Sequence, residues 1–423
     1  MPLTLRVLLG LVLGLTAGAA LSAAGFAGLD QVIAVAEPVG GLWLDALRMT
    51  IVPLVFSLIV TGMASARGAA ASGGAAARAL GLFAVLLLAS AAFAAILAPL
   101  ALQAWPIPPD AAQALRAAVG TAGPAPQAEM PPAGDWIRSF VPTNPIKAAA
   151  EGEMAPLVIF ALLFALAATR IAHGPRARLT ELFEAVGQTM LVLVGWVLWA
   201  APAGVFALAL VVGARAGWGA AGVLGHYLVV LSGVCIAITL TQYPLVTLLG
   251  KVAPWRFARA VAPAQVTAFS TQSSIASLPA MLQGARAAGA SSRAAGVVLP
   301  LAVSLFRITS PAANLGVALY VAQVYGLALT PGQIAVAVGV AAVVSLAAVG
   351  LPGQTTFFTT IVPICLSLGV PLELLPILLA VETIPDIFRT VGNVTADVAV
   401  AAIAGRDEGR ADAGSVEDDP QAP

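Results

Sequence analysis

The chain has 423 residues, 60% hydrophobic and 9% charged, with mean hydropathy +0.97 and zero formal net charge. Soluble domains carry about 25% charged residues, so the composition excludes a soluble protein, and the balanced charge gives no basis for a nucleic-acid partner. The two cysteines, Cys235 and Cys365, lie inside apolar runs and offer neither a disulfide framework nor metal-ligand spacing.

Six apolar segments come first, at about 4–25, 41–65, 79–103, 137–169, 185–213 and 220–250. Each is long enough to cross a bilayer as a helix, which takes roughly 20 residues. Arg6 followed by "VLLGLVLGLTAGAALSAAG" has the order of a cleaved signal. The run is long and further spans follow at once, so it reads as the first membrane helix. His173 and His226 are far apart, at segment ends, and read as ordinary residues.

From residue 256 the pattern changes. "AFSTQSSIASLPAML" (268–282) separates two half-length segments, and "SLAAVGLPGQTTFFTT" (345–360) repeats the arrangement. A segment with ionisable residues follows each break: Arg307 after the first, "ETIPDIFRTVGNVTAD" (382–397) after the second. Interrupted apolar segments at corresponding places in two halves mark a transporter binding site. Non-helical backbone cannot face lipid, so the tips must be buried or line a watery cavity.

Arg67 and Arg78, then Arg170, Arg176 and Arg178, then Lys251, Arg256 and Arg259, and finally Arg406 and Arg410 mark the basic loops. Loop 104–135 has only Arg116 and the 214–219 turn only Arg215. This alternation places both termini in the cytoplasm of a bacterial-type inner membrane. The expected fold is an all-α polytopic membrane protein with eight transmembrane helices and two re-entrant helical hairpins. Residues 1–405 form one transporter domain, and 406–423 form a disordered tail.

Glu382, Asp386, Arg389, Asn393 and Asp397 follow one another at +4, +3, +4 and +4, which puts them on one helical face. A charge at mid-bilayer costs from ~3 to well over 10 kcal/mol, so the stripe must face an interior site. An ion-pair ladder that only locks helices together is the plain alternative. As a binding site, Arg389 offers a planar fork for a carboxylate, Asp386 suits an ammonium, and Thr390 and Asn393 add neutral hydrogen bonds. The set suits a small anionic or zwitterionic solute, above all an amino acid with an extra carboxylate. Ser273, Ser274 and the free backbone N–H groups near 271–278 can hold a carboxylate as helix N-termini do, or the serines can merely cap a half-helix. No HExxH, GxSxG or nucleophile–base pair is present, so no catalytic residues are expected and an enzyme is excluded.

Taken together, the chain resembles the dicarboxylate/amino acid:cation symporter family, the glutamate transporter family, over roughly residues 5–406. "RMTIVPLVFSLIVTGMAS" (48–65), "VPTNPIKAAAEGEMAPLVIFALLFALA" (141–167), "APAGVFAL" (201–208), "STQSSIASLP", "GLPG" (350–353) and "DIFRTVGNVTAD" carry the resemblance. It implies a homotrimer in membrane lipid that works as an elevator, with scaffold helices at about 4–65 and 137–213 and a transport core at about 79–103 and 220–405. It implies that Arg389 takes the side-chain carboxylate, Asp386 and Thr390 the amine, and Asn393 the α-carboxylate. Ser273, Ser274, Ser310 and Gly353 complete the substrate set. Asp397, with Asn393, matches a sodium-coordinating position.

One departure is large. The family's "NMDGT" break aligns without a gap to Phe306, Arg307, Ile308, Thr309 and Ser310. Ala89 stands where a sodium-binding threonine is expected, beside a retained Ser90, and Ala348 replaces a threonine near Ser345. The substrate stripe is kept while most sodium ligands are lost. The expectation is an acidic amino acid transporter with reduced or no sodium coupling, in which Arg307 contacts Asp397, directly or through water. No cofactor is expected; Na+ or H+ is the coupling ion, and Glu382 is a candidate proton site. A C4-dicarboxylate carrier is the alternative within transport, and a transporter-derived channel or sensor the alternative outside it.

Overall fold

The computed structural model describes residues 3–70, 74–118, 138, 141–217, 219–347 and 353–405. Every regular element among them is a helix. The first half comprises α1 (Leu3–Ala23), α2 (Leu29–Ala70), α3 (Gly74–Ala104), α4 (Pro109–Ala118), α5 (Pro145–Glu151), α6 (Met154–Ala168), α7 (His173–Trp199), α8 (Ala201–Ala216) and α9 (Gly219–Gly250). The second comprises α10 (Pro254–Thr271), α11 (Ser274–Ala287), α12 (Ser292–Leu305), α13 (Thr309–Tyr325), α14 (Pro331–Ala347), α15 (Gly353–Leu368), α16 (Leu375–Val381) and α17 (Thr383–Ala404).

Among the described residues, seven helical stretches are long and apolar enough to span a membrane. Several differ from the expected segments. The 137–169 span is divided into α5 and α6 at Gly152, whose φ of 72° is a left-handed C-cap. The 185–213 span is divided at Ala200, just before Pro202, into α7 and α8. The 104–135 loop contains α4, which buries Ala112 and Leu115. The expected cytoplasmic tail, Ala348 and most of the "GLPG" tip lie outside the described residues.

Small residues decide the packing of α1. Gly10, Gly14 and Gly18 recur every four residues and face α8. A Cβ at Gly10 would lie 2.6 Å from the Pro202 carbonyl oxygen, and one at Gly14 2.5 Å from that of Phe206. With lipid as apolar as leucine, such close backbone approach is what drives membrane helices together. Helices α1, α2, α6, α7 and α8 pack on one another, and α2 carries a ladder of Phe56 against Phe160, Phe164 and Phe183.

A second group surrounds α17, which touches α3, α9, α10, α11, α12 and α13. Helices α10 and α11 form one hairpin, α14 and α15 another. In the first, Gln272 turns the chain with φ 51° and Ser273 starts the return helix. Both halves also contain a broken helix, each set by a proline. Pro311 lacks the N–H that would bond the Arg307 carbonyl four residues back, and the α12–α13 break falls at Phe306–Ile308. Pro385 does the same to Val381, and the chain is interrupted at Glu382 between α16 and α17. These breaks bring backbone and polar side chains to one level inside the second group.

Candidate binding site

The stripe on α17 folds as one face, and most of it is buried. Glu382 is 6% exposed, Arg389 5%, Thr390 7%, Asn393 6% and Asp397 0%, with Asp386 half-buried. Arg389 Nη2 stands 2.7 Å from Glu382 Oε1. The contact lies off the line of a hydrogen bond: neither atom has a hydrogen-bond partner, nor does Arg389 Nε. Tyr227, fully buried on α9, donates its hydroxyl to Glu382 Oε2 at 2.8 Å. Tyr227 in turn packs edge-on against Tyr320 of α13, at 5.2 Å between ring centres.

One turn along, Asn393 ties α17 to the start of α13. Its Oδ1 accepts from the Thr309 amide at 3.0 Å and lies 2.8 Å from the Thr309 hydroxyl, which also reaches the Arg389 carbonyl oxygen at 2.9 Å. Gly392 permits this approach. A Cβ there would lie within 3 Å of both Thr309 and Thr239. The Thr390 hydroxyl is committed to the Asp386 carbonyl oxygen at 2.8 Å. Ser273 caps its own helix, its hydroxyl oxygen accepting from the Ala276 amide at 3.2 Å. So the capping role is what the Ser273 side chain performs here, and the half-buried Ser274 follows as the first residue of α11. Ser310 is buried in the first turn of α13. Gly353 opens α15.

The α12–α13 break is apolar on the side where the resemblance implies cation ligands. Phe306 stacks on Phe83 of α3, ring centres 4.6 Å apart and planes 10° from parallel. Phe306, Phe83 and Ile308 are 1%, 0% and 2% exposed. Ser90 remains, but its hydroxyl donates to the Ile308 carbonyl oxygen. Two aromatic rings and an isoleucine fill this ground, and the donors left there do not fit a sodium ion as an oxygen cage would.

Asp397 is different. Among the described residues, both of its carboxylate oxygens are buried and accept no hydrogen bond, from Arg307 or any other group. Arg307 is half-buried in the break, where Asp386, Arg389 and Asp397 all act on its charge. Its guanidinium adds positive charge to this part of the site. Spacing in the sequence did not reveal two further residues. Tyr227 is a lone tyrosine in an apolar run, 155 positions from its partner Glu382. Asn314 on α13 is 0% exposed, with neither amide atom hydrogen-bonded. Its one signal is an amide in an otherwise apolar helix. His226 is satisfied by Tyr320 at 3.1 Å and the Trp105 carbonyl oxygen at 2.8 Å, as suits an ordinary buried histidine.

Long apolar helices around a buried, charged helix, with paired hairpins and proline-broken helices, define a multi-pass membrane protein with the architecture of a transporter. Residues 3–407 match the profile of the Sodium:dicarboxylate symporter family, and the chain belongs to that family. Among its relatives is the Proton/glutamate-aspartate symporter of Escherichia coli (strain K12), 27% identical over 94% of this chain and 91% of that protein. The C4-dicarboxylate transport protein 3 of Ralstonia nicotianae is 26% identical over 94% and 88%. The human Neutral amino acid transporter B(0) is 29% identical over 93% and 78%.

Proposed function

We propose that this protein is a secondary active transporter of an acidic amino acid, aspartate or glutamate, with little or no sodium coupling. The observation that carries the reading is Arg389. It is a 95%-buried type of environment for a guanidinium, 5% exposed, with Nε and Nη2 left without hydrogen bonds. A bidentate carboxylate satisfies such a fork. Asp386, one turn away on the same face, supplies the partner for an amine, and Asn393 is held in place beside them by Thr309. The name of the Escherichia coli relative agrees with this substrate class.

The filled break supports weak sodium dependence. Phe306 and Ile308 present rings and aliphatic carbon, while Arg307 brings a fixed positive charge near Asp397. A buried carboxylate without a partner is costly as an anion, and a nearby guanidinium meets part of the need that a bound cation would otherwise meet. A second reading has its own observation: Arg307 interacts with Asp386, which leaves less of that carboxylate for an amine and admits a C4-dicarboxylate. We further propose that α1, α2 and α5–α8 form a trimeric scaffold, that α3 and α9–α17 move as an elevator, and that both termini are cytoplasmic.

A thermal-shift and uptake screen of aspartate, glutamate, succinate, malate and neutral amino acids tests the function. Stabilisation by aspartate or glutamate, with weaker response to the dicarboxylates, is expected. A response confined to dicarboxylates would move the assignment to the second reading, and a response confined to neutral amino acids would overturn both.

A further inference from the structure

We propose that Glu382 and the acidic substrate compete for Arg389, and that Glu382 takes up a proton each time the substrate wins. The inference rests on the acidic-substrate reading above and assigns the coupling ion of that same site.

The geometry of the Glu382–Arg389 contact motivates it. The two groups meet at 2.7 Å, closer than most ion pairs, but out of hydrogen-bond alignment. Arg389 therefore keeps its charge partner while Nε and Nη2 keep their donor capacity. A substrate carboxylate that meets the fork squarely gains two aligned, charge-assisted hydrogen bonds that Glu382 does not make. Glu382 is the weaker partner, held in reach by Tyr227 on its other oxygen.

Displacement leaves Glu382 with a charge problem. It is 6% exposed at the α16–α17 junction. The groups around it are few. Arg389 and Asp386 lie on its own helix, and Tyr227 and Cys235 face the cluster from α9. Within this cluster Tyr320 of α13 packs on the Tyr227 ring, and the Arg307 charge acts on Asp386. Once a substrate carboxylate holds Arg389, Glu382 is left without its counter-charge, since Arg307 serves Asp386. Two close carboxylates in one site cannot both stay ionised at low cost, and a buried group without a counter-charge neutralises instead.

Glu382 is the group best placed to take the proton. Tyr227 donates to Oε2 and still can when the acid is neutral. The proton therefore goes on Oε1, the atom that faced Arg389, and the new O–H donates to the substrate carboxylate that has taken the arginine. It comes from water on the side where substrate enters. It returns to water on the other side when the substrate leaves and Glu382 recovers Arg389. One substrate and one proton then move together.

Calorimetry on the purified full chain decides the matter. Aspartate, glutamate and succinate are titrated in buffers of different ionisation enthalpy across neutral pH. The unmodified protein is expected to take up about one proton per aspartate bound, the count that linkage requires for one newly protonated group. Glu382→Gln is expected to bind aspartate with no proton uptake, and Glu382→Asp to retain uptake. In proteoliposomes, a pH gradient should drive accumulation by the unmodified chain and not by Glu382→Gln, which still exchanges labelled aspartate. Binding without proton uptake by the unmodified protein overturns the proposal without touching the substrate assignment, and needs no variant to fold. Equal proton uptake by Glu382→Gln also overturns it. If none of the three acids binds, the substrate assignment fails and this inference fails with it.

Discussion

Two neighbouring stretches inside the second group are built in opposite ways. Around α17, ionisable and amide groups persist and hold each other: Glu382 with Arg389 and Tyr227, Asn393 with Thr309. At the α12–α13 break, Phe306 and Ile308 are buried instead, and aromatic stacking on Phe83 fills the ground. The same proline-broken backbone serves both stretches. The contrast shows how side chains and packing hold a broken membrane helix. Its free backbone groups are met by Ser90 and Asn393, and its apolar flank by packing.

The largest effect is expected from Arg389→Ala. It leaves Glu382 buried without its counter-charge, and breaking a buried pair from one side costs about 3–5 kcal/mol. Transport of acidic substrates should vanish, with size-exclusion chromatography checking that the chain still assembles. Arg389→Lys should not restore transport, because a point charge lacks the fork. Uptake by Arg389→Ala at the unmodified rate would remove the polar half of the comparison.

Phe306→Ala attacks the other half. It removes a fully buried ring stacked on Phe83, a loss of about 3–5 kcal/mol for such truncations. Thermal unfolding should show the drop equally with sodium or choline as the salt. Restoration of stability by sodium alone would mean that the break still accepts the ion.

Asp386→Asn sharpens the substrate side. Loss of a charge-assisted hydrogen bond to an amine is worth about 1.5–3 kcal/mol, a ten- to hundredfold fall in aspartate affinity. Succinate affinity should fall much less. Equal losses by calorimetry would show that Asp386 serves Arg307 and not the ligand.

Gly392→Ala tests the joint between the stretches. The added methyl meets Thr309 and Thr239 at under 3 Å, and overpacking of this kind costs about 1–3 kcal/mol. Substrate affinity should weaken because Thr309 no longer holds Asn393. Unchanged affinity and melting temperature would mean that the joint is looser than its geometry implies.

The α17 stripe was legible in the sequence because charge is rare in this chain and the +4, +3, +4, +4 spacing admits only one helical face. The hairpins were legible from serine, glycine and proline in apolar runs, the α12–α13 break only through the family resemblance, and the interruption at Glu382 was not anticipated. Tyr227 was not, since a tyrosine in an apolar helix carries no mark of a carboxylate partner 155 positions away. The Phe306 substitution could be seen as a lost ligand, but its stacking on Phe83 depends on how α3 and α12 pack. The division of the fourth and fifth segments was also hidden. Apolar composition continues through Ala200, where only backbone geometry separates the helices, and the Glu151–Gly152–Glu153 interruption was read inside a single segment.

The central claim is that the substrate stretch works while the cation stretch has been filled. Uptake of labelled aspartate into proteoliposomes, under an imposed pH gradient and with external sodium replaced by choline, tests it most directly. The account predicts initial rates within about twofold of each other, a difference well under the 1.4 kcal/mol that a tenfold change represents. A fall of about tenfold or more without sodium would contradict it.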